Sequence, residues 1–177
     1  MKGEADIVAI PINSKNIKEL ENSYFQGHSY IPYCINDIPE SDIKEYPSKK
    51  VEVIGFPYGF NVSEYTNEYS PIWTSGFIAS EPEINYEGKP VFLIDSRTRE
   101  GNSGSPVFIM NEHNNNFEYK FLGIYSGRIS KESDIGKVWK KQAIIELLNY
   151  VDFLIAKNKI NDPFIDFPVQ YETFIGL

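Results

Sequence analysis

An all-β barrel or sandwich with one C-terminal helix is the fold this sequence predicts. Three observations carry that expectation. Short β-branched and aromatic runs recur between residues 51 and 127, and clusters of Gly, Asn and Pro separate them. The last long apolar segment then switches to helical spacing.

The elements follow in order. "ADIVAIPI" (5–12) is a β-branched run ended by Pro11 and reads as a strand. Residues 13–50 are polar with scattered aromatics and three prolines, and read as a long linker with one helical turn near 16–21. "VEVIGFPYGF" (51–60) is strand-like and breaks at Pro57 and Gly59. The runs "SPIWTSGFIAS" (70–80), "KPVFLID" (89–95), "SPVFIM" (105–110) and "EYKFLGIYSG" (118–127) complete the β pattern. "NEHNNN" (111–116) has the turn chemistry of a hairpin tip, and "INYEGKP" also reads as a turn. In "KKQAIIELLNYVDFLIAK" (140–157), apolar residues at 144, 145, 147, 148, 151, 154 and 155 mark one face of a helix expected to pack on the barrel.

Composition narrows the function. The chain has 177 residues and is 41% hydrophobic, enough for a buried core. A net charge of −8 argues against nucleic acid, which is bound through Lys and Arg. No segment approaches the ~20 apolar residues of a membrane span. "MKGEADIVAI" lacks the apolar region of a signal peptide, so a cytoplasmic location is expected if Met1 is the native start. Cys34 is the single cysteine, which excludes an internal disulfide, and no ligand-spaced cluster implies a metal or cofactor. His28 and His113 are the only histidines.

The stretch "DSRTREGNSGSPVFIM" (95–110) carries the chemistry. A serine hydroxyl attacks only with a base beside it and with donors aimed at the oxyanion that forms. Gly101 and Gly104 flank Ser103 and permit the sharp turn that would turn backbone N–H groups into such donors. "GNSG" alone reads more simply as a hairpin turn.

The longer string "GNSGSPVF" resembles the nucleophile loop of trypsin-like (chymotrypsin-fold) serine peptidases. "LIDSRTREGNSGSPVF" looks closest to the bacterial branch that includes glutamyl endopeptidases. Other landmarks follow in the family's order over residues 5–157. "ADIVAIPI" is similar to the strand that begins with the catalytic aspartate, "VEVIGFPYG" to the opening strand of the second barrel, "PIWTSGFIAS" to the next hairpin and "FLGIYSGRI" to the strand lining the substrate cleft.

The resemblance implies a chymotrypsin-like β-barrel: a complete second barrel (51–141), preceded by the last strand of the first barrel and the inter-barrel linker (1–50) and followed by a helix and tail (142–177). It implies Ser103 as nucleophile, Asp6 as the residue orienting the histidine, and the N–H groups of Gly101 and Ser103 as oxyanion hole. Arg97 and Thr98 would stand near the pocket for the residue before the scissile bond. Tyr125, Ser126 and Gly127 would pair with substrate as an added strand. Arg128 at the cleft could hold an acidic side chain, although a solvated arginine past the strand end is the stronger reading. Asn102, where many members have aspartate, argues against activation by a freed N-terminus.

One requirement is unmet. The family's histidine lies upstream of the aspartate, and only five residues precede Asp6. His28 and His113 both follow it, outside any string like the family's histidine motif. The expected function is therefore a serine endopeptidase domain in an N-terminally truncated form, acting on a peptide or protein and weakly active alone. The alternatives are a catalytically inactive peptidase-like domain that binds peptides or a protein partner, and a β-rich interaction domain in which "GNSGSP" is only a turn. The unpaired strand 5–12 would be open to pairing with another chain.

Overall fold

The computed structural model describes residues 24–25, 28–29, 41–58, 71–113 and 116–157. The expected strand at 5–12, with Asp6, and the helical turn at 16–21 lie outside these residues. The chain divides into two compact units, Ile38–Ile144 and Met1–Asp37 with Ile145–Leu177.

The first unit is built on six strands: β3 (Lys50–Gly55), β4 (Ile72–Ile78), β5 (Val91–Ser96), β6 (Pro106–His113), β7 (Asn116–Arg128) and β8 (Ile135–Lys140). They pair antiparallel in the order β3-β4-β5-β8-β7-β6, and β6 returns to β3 to close the barrel. This all-β closed barrel followed by a helix matches the chymotrypsin-like barrel expected from the sequence. Closure removes the free edges that a six-stranded sheet would otherwise expose.

Alternation along the strands fills the interior. Val51 and Val53 from β3, Phe92 and Ile94 from β5, Val107 and Ile109 from β6, and Val138 from β8 are almost fully buried. With Ile43, Ile78, Leu122 and Tyr125 they form one cluster. Each such aliphatic side chain contributes roughly 1.5–3 kcal/mol on leaving water.

The residues before the barrel are tied to it by polar contacts. The Ser41 hydroxyl donates to Glu118 at 2.5 Å, and Lys120 Nζ reaches the Ile43 carbonyl at 2.7 Å and Glu45 at 3.0 Å. These bonds clip residues 41–45 onto the long β6–β7 hairpin. The hairpin's last ladder pair is His113 with Asn116, so "NEHNNN" is its tip as expected.

Two bulges shape β7. One falls opposite Val107 and Phe108 of β6, and the second opposite Val138 and Lys137 of β8, where Ser126 is the extra residue. Bulges bend a strand and free backbone groups from the ladder. The second one matters for the site.

In the other unit, Tyr24–Phe25 (β1) and His28–Ser29 (β2) make a two-residue antiparallel ladder. The linker reading had no strand here, and two-residue pairing is too short to leave a periodic signature. The helix α1 spans Lys141–Ala156, one residue inside the expected segment at each end. Leu147, Val151 and Leu154 are buried at the 4-then-3 spacing of one face, and Phe153 is half exposed. At its end Lys157 donates its backbone N–H to Phe153 at 3.2 Å and holds its ammonium 4.3 Å from that ring.

Strand β8 is the element the sequence reading passed over. "IGKVWK" buries Gly136, Val138 and Trp139, so adjacent positions are buried and strict alternation is lost. A lysine at 137 and a glycine at 136 lower its apparent β content further. Gly136 is required by packing: a Cβ there would lie 2.4 Å from the Tyr125 ring.

Candidate functional site

The loop between β5 and β6 is held from both sides. Tyr58, just past β3, donates its N–H to the Glu100 carbonyl at 2.9 Å. From β7, Tyr125 accepts the Gly104 N–H at 2.8 Å and donates its own to the Ser105 carbonyl at 2.9 Å. Within the loop, Asn102 N–H bonds the Arg99 carbonyl at 3.1 Å and Ser105 N–H the Asn102 carbonyl at 3.0 Å. Ser103 therefore sits at the tip of a tight turn spanning 102–105, exposed, with its neighbours pinned.

Gly101 cannot be replaced freely in this arrangement. Its φ is +95°, and a Cβ would lie 2.8 Å from the Phe56 carbonyl oxygen and 2.8 Å from the Tyr58 nitrogen. Only glycine allows the loop and the end of β3 to approach so closely.

The N–H groups of Asn102, Gly104 and Ser105 are all bonded, whereas those of Gly101 and Ser103 have no acceptor among the described residues. The two unbonded donors are the pair expected for an oxyanion hole. The Ser103 hydroxyl donates to the Ser126 carbonyl at 3.1 Å. A carbonyl cannot take a proton, so this bond does not activate the oxygen. Among the described residues, no histidine or carboxylate bonds Ser103.

Asn102 is 1% exposed, and its Oδ1 has no hydrogen-bond partner among the described residues. It points beneath Gly55, where a Cβ would come within 3.4 Å of it. An unbonded buried amide oxygen is costly, and rare enough to call for a reason.

A cavity of ≈ 540 Å³ opens beside the loop, lined by Tyr58, Arg97, Thr98, Arg99, Glu100, Arg128 and Asp134. Three guanidinium groups face two carboxylates. Arg97 and Asp134 approach at 3.9 Å with both side chains largely exposed, a pair too solvated to neutralise either. Arg128 has no carboxylate within ion-pair distance among the described residues.

Thr98 is 3% exposed, and its hydroxyl bonds that of Tyr125. Burial raises the Tyr125 phenol above its ordinary value, partly offset by the Thr98 bond and by the positive charge of Arg128. The phenol therefore remains protonated at neutral pH.

Ser103, Gly101, Ser126 and Gly127 are thus brought together, with Thr98, Arg97 and Arg128 around the adjoining cavity. A Cβ on Gly127 would face Ser103 Oγ at 4.0 Å, so a side chain there would stand over the hydroxyl. The Tyr125 side chain is a core residue and its backbone groups are taken by the loop, whereas Ser126–Arg128 has an edge that no strand covers among the described residues. The sequence reading had not singled out Tyr58, Arg99, Glu100 and Asp134. Arg99 and Glu100 stand in the quoted "RTRE" string, whereas Tyr58 and Asp134 arrive through tertiary structure alone.

No protein-family model matches the chain, and no curated protein matches it. Among solved structures it is similar to Rv3671c from Mycobacterium tuberculosis H37Rv, in an inactive form carrying a serine-to-alanine substitution. The identity is 18%, the TM-score 0.43, and the match covers 63% of this chain and 51% of that one. The matched region thus spans about half the length of that chain.

Proposed function

We propose that this chain is a trypsin-like serine endopeptidase domain, acting through an acyl-enzyme on Ser103 and present here without the family's catalytic histidine. The observation that carries the reading is the loop itself. A serine is exposed at a pinned turn, the N–H groups at 101 and 103 have no acceptor among the described residues, and a ligand-sized cavity lies alongside. In the reaction, Ser103 Oγ adds to the substrate carbonyl and passes its proton to a base. The amine departs with a proton, and water then hydrolyses the ester. The N–H groups of Gly101 and Ser103 are the candidate donors to the oxyanion, and Asp6 is kept as the proposed partner of the histidine.

The cavity favours an acidic residue before the scissile bond, in keeping with the glutamyl-endopeptidase-like branch. Arg128, which has no carboxylate partner among the described residues, is the main reason, with Arg97 and Thr98 beside it. A charge-assisted hydrogen bond is worth about 1.5–3 kcal/mol, or roughly ten- to a hundredfold in discrimination. Arg128→Ala should reduce preference for Glu over Gln at that position by about this factor, measured on paired peptide thioesters.

A second reading, an inactive peptidase-like domain that binds peptides, is favoured by the bond from Ser103 to a carbonyl instead of a base. Chemical rescue separates the two. Added imidazole should raise thioester hydrolysis by the chain, and Ser103→Ala should abolish the gain. A fluorophosphonate probe should label Ser103 faster under the same conditions. Absence of both effects would leave the binding reading, and robust turnover without imidazole would require another base.

A further inference from the structure

The Ser103 hydroxyl is bonded at the place where the proposed cleft would receive a peptide. Strand β7 pairs with β6 only as far as Ile124, opposite Pro106. Beyond it, Tyr125 is bonded to the nucleophile loop and Ser126 is the bulged residue. The other edge of Gly127 and Arg128 pairs with Lys137 and Gly136 of β8. On the loop side, Ser126–Arg128 faces no strand among the described residues. These residues are partly exposed and offer an open backbone edge next to the cavity. An extended peptide adds to such an edge through its own N–H and C=O groups.

The first acceptor on this edge is the Ser126 carbonyl, and Ser103 Oγ holds it at 3.1 Å. We propose that Ser103 caps the peptide-docking edge in the free protein, and that an incoming backbone N–H displaces its hydroxyl from the Ser126 carbonyl. This rests on the reading of the site as a peptide cleft and goes beyond it: the nucleophile competes with the substrate backbone for one acceptor. Docking then frees the hydroxyl to turn toward a base and substrate carbonyl. A ligand without that N–H leaves the cap in place. The bulge explains why this carbonyl is available at all, since a regular ladder would have turned it into the sheet.

The cap makes a prediction opposite to that of an ordinary contact residue. Removing the Ser103 hydroxyl should tighten peptide binding, because the peptide no longer displaces a hydrogen bond. A neutral hydrogen bond of ordinary net strength corresponds to roughly three- to tenfold in affinity.

The experiment is fluorescence polarisation on the full chain with a fluorescein-labelled Ala-Ala-Glu amide, and with the same peptide methylated on the glutamate nitrogen. Ser103→Ala is expected to bind the first peptide about three- to tenfold more tightly than the parent and the methylated one equally. Ser103 is exposed, so the variant should fold, and circular dichroism checks it. Equal or weaker binding of the unmodified peptide by Ser103→Ala overturns the cap while leaving the cleft reading intact. A gain of the same size for the methylated peptide also overturns it, since the effect would then not pass through the N–H. Binding of neither peptide by either form refutes the cleft reading, and the cap with it.

Discussion

Two loops of the same barrel look alike in sequence and are built differently. Residues 79–90 join β4 to β5, and residues 97–105 join β5 to β6. Both are polar and contain positive backbone angles, at Glu87 and Gly88 in the first and at Gly101 and Gly104 in the second. In the first, the bonds inside the loop are local, such as Ile84 to Glu81 and Lys89 to Tyr86. Its ends join neighbouring strands through Ala79 to Leu93 and Lys140 to Pro90. Its middle is touched from outside by the Lys140 ammonium, on the Ile84 carbonyl and Asn85. Gly88 has open space around it, and Ile84 stands in solvent. In the second, Thr98, Asn102 and Ser105 are buried, and bonds reach Tyr58 and Tyr125. The first loop connects strands. The second is held in a shape that a connection alone does not need, as the proposed role of Ser103 would require of its loop.

The sharpest way to test that contrast is to put the same methyl group into both loops. Gly101→Ala meets a forbidden backbone angle and two backbone atoms at 2.8 Å. Strain and overpacking together should cost roughly 4 kcal/mol. Gly88→Ala, at φ +71° with nothing within 4 Å, should cost only about 1 kcal/mol. Urea unfolding of the two variants measures the difference, and similar losses would mean that the second loop relaxes as freely as the first.

The next effect concerns the buried amide. Asn102→Asp places a carboxyl where the amide oxygen has no donor. At pH 7 an uncompensated buried charge should cost about 3 kcal/mol. The folded state holds this carboxyl above its ordinary value of about 3.9 because burial disfavours the anion. The protonated form is tolerated, so the variant should approach the parent below about pH 4 and lose stability as pH rises through the raised value. Denaturation midpoints at acidic and neutral pH would show it, and a loss independent of pH would point to shape instead of charge.

Much of the barrel was legible because its strands are short runs of β-branched and aromatic residues bounded by Gly, Asn and Pro turns. "KPVFLID" and "SPVFIM" are plain on this ground. β8 was not, because its buried glycine answers to the Tyr125 ring, a partner distant in sequence. The same division runs through the site. The glycines around Ser103 carry a local signal, since they serve a turn. The cavity wall does not: Tyr58 is delivered by its bond to Glu100, and Asp134 by the approach to β8. The role of Tyr125 was hidden for another reason. Its place in "GIYSG" suggested a backbone that pairs with substrate, whereas its N–H and carbonyl are bonded to residues 104 and 105 and its ring belongs to the core.

Tyr125 gives the smallest effect and the finest test. Tyr125→Phe keeps the ring against Gly136 and keeps both backbone bonds to the Ser103 loop, removing only the hydroxyl shared with Thr98. The loss should be about 1 kcal/mol at neutral pH, because Thr98 retains only a long 3.5 Å contact to the Ser96 carbonyl. The sign of the alkaline effect follows from the raised phenol. The folded state favours the neutral form more than the unfolded state does. The contribution is therefore complete below the unfolded value of 10.0 and is lost as pH rises toward the folded one. The phenylalanine variant should lack this alkaline loss while keeping the ordered turn around Ser103. An alkaline loss of equal size in both proteins would place the titrating group elsewhere, and would remove the hydroxyl pair from the set of contacts that distinguish this loop from residues 79–90.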